Sequence, residues 1–168
     1  RILVGFEQAM PAPEVHALRL ALWSHGPDRG QAALRAEVEE ALREDPAHPV
    51  GLQILAELDR VDPLPLARAA VAGHPDDPRA HTFLAGALEG KGAQSEREAA
   101  YRRAADLAPD NPAALNNLAA ELLQAGRSGE ALPVARRAAT LAPWSPPLLA
   151  TYAAVLSDLG RCAEAIPV

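Results

Sequence analysis

Five histidines, His16, His25, His48, His74 and His81, are the residues best suited to hold a metal or act as a general base, and their spacing suits neither task. A helical zinc site needs two His four residues apart with Glu between them, and no such run occurs. His25, His48 and His74 fall between helical stretches and read as turn or cap residues. Glu37, Glu39, Glu40, Glu44 and Asp45 crowd one helix end, which reads as a solvated acidic face rather than an acid/base pair. The glycines stand singly at helix ends, so no phosphate-cradling loop forms. Cys162 is the only cysteine; it has no disulfide partner in the chain and reads as a small helix residue. These residues assign no catalytic group, no metal and no cofactor, and the expectation is a protein that is not an enzyme.

The chain has 168 residues, is 49% hydrophobic and 23% charged, and carries a net charge of -6, the composition of a soluble domain with enough apolar residues for a core. Six aromatics leave that core to Ala, Leu and Val, which lets helices approach closely. Residues 1–77 hold 7 basic and 13 acidic groups and residues 78–168 hold 9 of each, so the acidity is N-terminal. This is not the basic footprint of a nucleic-acid binder, and Arg102/Arg103 and Arg136/Arg137 read as solvated faces. No stretch reaches the roughly 20 apolar residues of a membrane span. Arg1 to Met10 lacks the pattern of a signal peptide. Because the first residue is not Met, the chain is expected to be processed or part of something longer. The compartment is left open, with the cytoplasm favoured.

The elements that would position any site follow from a repeat. Gly92, Gly126 and Gly160 are 34 residues apart, as are Pro75, Pro109 and Pro143, Ala85, Ala119 and Ala153, and Ala70, Ala104 and Ala138. Each period opens with a cap residue and Pro: Asp77-Pro78, Asn111-Pro112, Ser145-Pro146. Pro at the first helical position gives up no hydrogen bond. The Gly marker then ends the helix in a left-handed cap. A second helix follows, with Ser95 and Glu98 spaced as a capping box and Ser128 placed as a cap, and it stops before Pro109 or Pro143.

This spacing predicts first helices near 78–91, 112–125 and 146–159 and second helices near 95–107 and 129–141. Pro46 precedes Pro75 by 29 residues, so an earlier repeat is short by five, with helices at 49–60 and 63–73. A degenerate pair is expected at 14–25 and 29–44, and residues 1–12 are unassigned. The expected organisation is one helical-repeat domain over 1–168, divided into 14–46 (degenerate), 47–77 (shortened), 78–111, 112–145 and 146–168 (truncated). Pro65, Pro133 and Pro167 recur just inside the second helices, which should start late or kink there.

Leu115, Leu118, Ala119, Leu122, Ala131, Ala135, Ala138 and Pro143 together resemble the tetratricopeptide repeat pattern. The period before gives His81, Leu84, Ala85, Leu88, Arg97, Tyr101, Ala104 and Pro109, and the one after gives Leu149, Tyr152, Ala153, Leu156 and Ala165. Arg97 and Pro63 depart from it, standing where the family usually has Ala. The resemblance implies an all-α fold: a right-handed α-α superhelix, or solenoid, of helix-turn-helix repeats with a protein or peptide partner held on its concave face. That face would present Thr82, Phe83, Gly86, Asn116, Asn117, Ala120, Thr151 and Ala154. Some members of the family grip a carboxylate with cations on these positions, and none is present here. Others run a ladder of Asn, of which Asn117 matches one rung.

Three readings are open: an adaptor binding a partner segment, a substrate-docking or regulatory region of a larger transferase or oxygenase, and a self-assembling repeat. Self-association would use the C-terminal end, where Leu149, Tyr152, Leu156 and Ile166 would face the next repeat. The single Lys91 among many Arg, with abundant Ala, Pro and Gly, points to a GC-rich bacterial genome.

Overall fold

The computed structural model describes residues 31–161 together with Glu164, and among them the chain is helical without a strand. Eight helices follow one another: α1 (Gln31–Glu44), α2 (Pro49–Asp59), α3 (Pro63–Gly73), α4 (Pro78–Ala87), α5 (Gln94–Leu107), α6 (Pro112–Gln124), α7 (Ser128–Leu141) and α8 (Pro146–Asp158). The expected helix at 14–25, residues 1–12, Cys162, Ile166 and Pro167 lie outside the described residues. Seven helices match the expected spans to within one or two residues. The exception is α4, which ends at Ala87 rather than near 91 because Gly90 and Gly92 both take positive φ, 72° and 71°, in the turn that follows.

The helix starts are built as the cap-Pro pairs suggest, with one exception. Asn111 Oδ1 accepts from the Ala113 and Ala114 amides at 2.9 and 3.3 Å, and Asp77 Oδ1 accepts from the Arg79 amide at 2.8 Å. Asp62 does the same for Leu64. Ser145 makes no such bond, so α8 relies on Pro146 alone. The expected capping box at Ser95 and Glu98 does not form: the cap position is Ala93, and Glu98 is drawn to arginines. Ser128 is likewise no cap. It is the first residue of α7 and its hydroxyl donates to Asp158.

The first helix of each pair closes on a left-handed residue, whereas α3, α5 and α7 end on His74, Ala108 and Ala142 at φ of -130°, -131° and -139°. Gly126 and Gly160 have φ of 70°, with the next amide, Arg127 or Arg161, donating back to Leu122 or Leu156. The short repeat has no Gly at this place, and Arg60 itself adopts φ 52° while Val61 donates to Ala56. α7 starts at Ser128 and carries Pro133 as its sixth residue, so that helix does not start late; Pro65 lies in the first turn of α3, where a missing donor costs nothing.

The described helices gather in two compact units, one running to Ala87 and one from Leu88, with the boundary inside the 78–111 repeat. In the first, α1, α2, α3 and α4 pack in succession and α2 also touches α4. Its core is Leu52, Ala56, Ala67, Ala70, Ala80, Phe83 and Ala87, with Val38, Ala41 and Ile54 joining α1 to α2. In the second, α5 to α8 pack in succession and α6 also touches α8. Leu115, Leu118, Ala119, Leu122, Ala131, Ala135, Ala138 and Val155 form its core. Ala119 and Ala138 are wholly buried where α6 and α7 meet, so a larger side chain there would force the helices apart at a cost of about 1–3 kcal/mol.

Candidate functional site

Within the second unit α5 and α6 form an open pocket of about 80 Å3 lined by Glu89, Arg97, Tyr101, Asn117, Ala120, Glu121 and Gln124. Helical spacing brings them together. Arg97 and Tyr101 are four apart on α5, and Asn117, Ala120, Glu121 and Gln124 follow at intervals of three, four and seven on α6, one stripe of that helix. A wider hollow of about 310 Å3 adjoins it over the Gly90–Gly92 turn and shares Arg97 and Gln124 as walls.

The floor of the pocket is ionic. Arg97 Nε lies 2.8 Å from Glu121 Oε2, and its Nη2 donates to Glu121 Oε1 at 3.0 Å and to Gln124 Oε1 at 3.4 Å. The Glu121 side chain is only 3% exposed, so the pair is desolvated on the carboxylate side, and the ion-pair contact with the Nη2 hydrogen bond holds both side chains. Arg97 is therefore not an oversized substitute for Ala; its guanidinium turns across to α6. Tyr101 is half-buried, and burial together with the neighbouring Glu89 carboxylate pushes its phenol above the ordinary value. It stays a neutral hydroxyl.

Of the eight residues expected to face a partner, the structure brings Asn117 and Ala120 into this pocket. Asn116, about 100° round the helix, does not line it. Phe83 is corrected outright: it is 6% exposed and packs with Leu52, Ala56, Ala67 and Ala70 in the first unit. A large apolar side chain at that register gains more from closing over α2 and α3 than from standing in water, while Leu84 is left half-buried. Thr82 and Thr151 spend their hydroxyls on their own helices, donating to Pro78 O at 2.9 Å and Pro147 O at 3.2 Å. Gly86 and Ala154 are exposed. Sequence reasoning missed Glu89, Arg97, Tyr101, Glu121 and Gln124, of which the four-residue spacing of Arg97 and Tyr101 was the available signal.

The histidines serve the backbone. His48 is the N-cap of α2, its Nδ1 accepting from the Gly51 amide at 3.1 Å, and His74 closes α3 with Nε2 2.8 Å from Asp45 Oδ2. His81 Nε2 sits 2.8 Å from Pro75 O. His16 and His25 lie outside the described residues. Among the described residues no group of three or more His, Cys, Asp or Glu is placed to hold a metal ion, and no helix is long and apolar enough to cross a membrane.

At the C-terminal side Leu149 is 41% exposed and Tyr152 half-buried, but Leu156, expected on the open face, is fully buried beside Val155. α8 itself packs on both α6 and α7. Arg161 Nε and Nη2 reach Glu164 at 2.7 and 2.8 Å, repeating at a 34-residue interval the Arg127–Glu130 pair at 2.7 and 2.6 Å.

No protein-family model matches the sequence, and no curated protein does. Solved structures do match. A thermophilic tetratricopeptide repeat protein of Thermus thermophilus, TTC0263, superposes with a TM-score of 0.66 at 22% identity over 92% of this chain and 86% of that one. YrrB, described as a tetratricopeptide protein with an unusual peptide-binding site, gives 0.62 at 18% over 76% and 69%. MamA gives 0.61 at 17% over 79% and 75%. The periodic markers, the cap-Pro and Gly boundaries and these superpositions agree that the fold is an all-α helical repeat of the tetratricopeptide type.

Proposed function

We propose that this chain is a protein-interaction scaffold that holds an extended segment of a partner in the α5/α6 pocket. The observation that carries the reading is the convergence there of polar groups without a hydrogen-bond partner among the described residues. The Asn117 amide and the Tyr101 hydroxyl make no hydrogen bond within the described residues, although both are half-buried. Both polar ends remain open to the pocket, so they suit a ligand with donors and acceptors of its own, as a peptide backbone has. The Arg97–Glu121 pair beneath them holds α5 and α6 at a fixed distance, which lowers the entropy lost on binding. A peptide-binding site described for YrrB, a neighbour of the same fold, supports the reading. On this view the repeats do mechanical work, presenting a surface, and carry no reaction.

Selection of displayed peptides on the protein, with Asn117→Arg as the counter-selected variant, tests this. Enriched peptides should lose at least about ten-fold in affinity for the variant, some 1.4 kcal/mol, while its melting temperature stays within a degree or two. Peptides that bind the variant as well as the parent would place the interaction elsewhere.

A further inference from the structure

The charges in the pocket do not balance, and the imbalance has a location. Three ionisable side chains other than Tyr101 line it: Glu89, Arg97 and Glu121. Arg97 and Glu121 neutralise each other, with an ion-pair contact at 2.8 Å and a hydrogen bond at 3.0 Å. Glu89, exposed in the turn before α5, has no ion pair among the described residues. The opening therefore carries one uncompensated negative charge at its rim, next to an aromatic ring whose hydroxyl has no hydrogen-bond partner among the described residues. Tyr101 senses that charge, since Glu89 is among the causes that push its phenol up.

We propose that the partner segment is basic, and that it inserts a Lys or Arg side chain beside Tyr101 to meet the Glu89 carboxylate. The proposal rests on the peptide-binding reading of the same pocket and adds the chemistry of its ligand. Each group in the pocket then has a complementary task. Glu89 accepts only, so it calls for a donor, and a cation answers both its charge and its lone pairs. The Tyr101 ring can receive the apolar stem or the face of a guanidinium. Asn117 both donates and accepts, which fits the backbone on either side of the inserted residue. The Gln124 amide oxygen is engaged by Arg97, leaving its NH2 to donate to a carbonyl. An acidic segment would set a third carboxylate beside Glu89 and Glu121, with the one cation of the lining, Arg97, already paired.

The test uses three blocked pentapeptides, identical except for a central Arg, citrulline or Glu, titrated into the 15N-labelled protein and into Glu89→Gln. Citrulline keeps the shape and hydrogen bonds of Arg without its charge. The side-chain amides of Asn117 and Gln124 report where binding occurs. The Arg peptide should move both amides and bind about five-fold more tightly than the citrulline peptide, the scale of one partly exposed ion pair, and the Glu peptide more weakly still. In Glu89→Gln the Arg and citrulline peptides should bind alike. Equal binding of both to the parent, or an Arg preference that survives Glu89→Gln, overturns the charge assignment while the shifted amides leave the pocket reading standing. Binding of any of the peptides with no shift at Asn117 or Gln124 overturns both.

Discussion

Arg97 and Glu121 are joined by an ion-pair contact of 2.8 Å and a hydrogen bond of 3.0 Å at two positions that, one 34-residue period later, are Ala131 and Val155. Ala131 and Val155 are both wholly buried in the same core. The chain thus solves one helix-packing problem twice, once with an ion pair and once with apolar side chains. Removing one partner of a desolvated pair is costly because the other charge stays behind, whereas replacing both with apolar groups is often neutral. Arg97→Ala should therefore lower stability by about 3 kcal/mol, and Arg97→Ala/Glu121→Val, which copies the next repeat, should recover most of it. Denaturant titration of the single and double variants measures this. Additive losses would mean that the pair is not coupled.

The short repeat ends α2 on Arg60 at φ 52°, where its later counterparts have Gly. A side chain in this region costs about 1 kcal/mol, partly offset by the extra freedom glycine brings to the unfolded chain. Arg60→Gly should raise stability by about 0.5 kcal/mol and Gly126→Ala should lower it by about 1 kcal/mol. Opposite signs of the melting-temperature shift are the outcome to look for.

Much of the architecture was legible in the sequence because its signals are local. Asp62, Asp77 and Asn111 cap within three residues, and Gly126 and Gly160 end helices at their own positions. The small residues recur at a constant interval because each meets the same neighbour in turn. The pocket was less legible. Arg97 and Glu121 lie 24 residues apart on different helices, and nothing short of the helix register joins them. Phe83 misled because it occupies the register of Asn117 and Thr151, while its size drew it into the core of its own unit. Ser145 has the type and place of a cap without making the bond.

Arg127 links two helices through carboxylates. Its Nη1 contacts both Glu98 oxygens at 2.7 Å, while Nε and Nη2 hold Glu130. Glu98 is held below its ordinary value by hydrogen bonds from Arg102 and Arg127, and Glu130 by its bond from Arg127. A carboxylate with a depressed folded-state pKa contributes stability that is complete above the ordinary Glu value of about 4.5 and is lost as pH falls through the folded value. Stability should drop on the acid side of that point, and Arg127→Gln should flatten the drop while leaving the slope near neutral pH unchanged. Thermal melts across pH 3 to 7 at low salt would read it, since screening weakens so exposed a network.

Phe83 and Asn117 now separate by role. Phe83→Ala should cost about 3–5 kcal/mol as a core truncation, and Asn117→Arg almost nothing in stability. Comparable losses for both would return Asn117 to the core.

The position of a bound segment is the most direct test of the scaffold reading. A peptide obtained by selection on the parent protein, titrated against 15N-labelled protein, should shift the side-chain amides of Asn117 and Gln124 together and saturate at one equivalent. Saturable binding that leaves both amides unmoved and shifts α8 or the first unit instead would contradict the assignment of the α5/α6 pocket as the binding site.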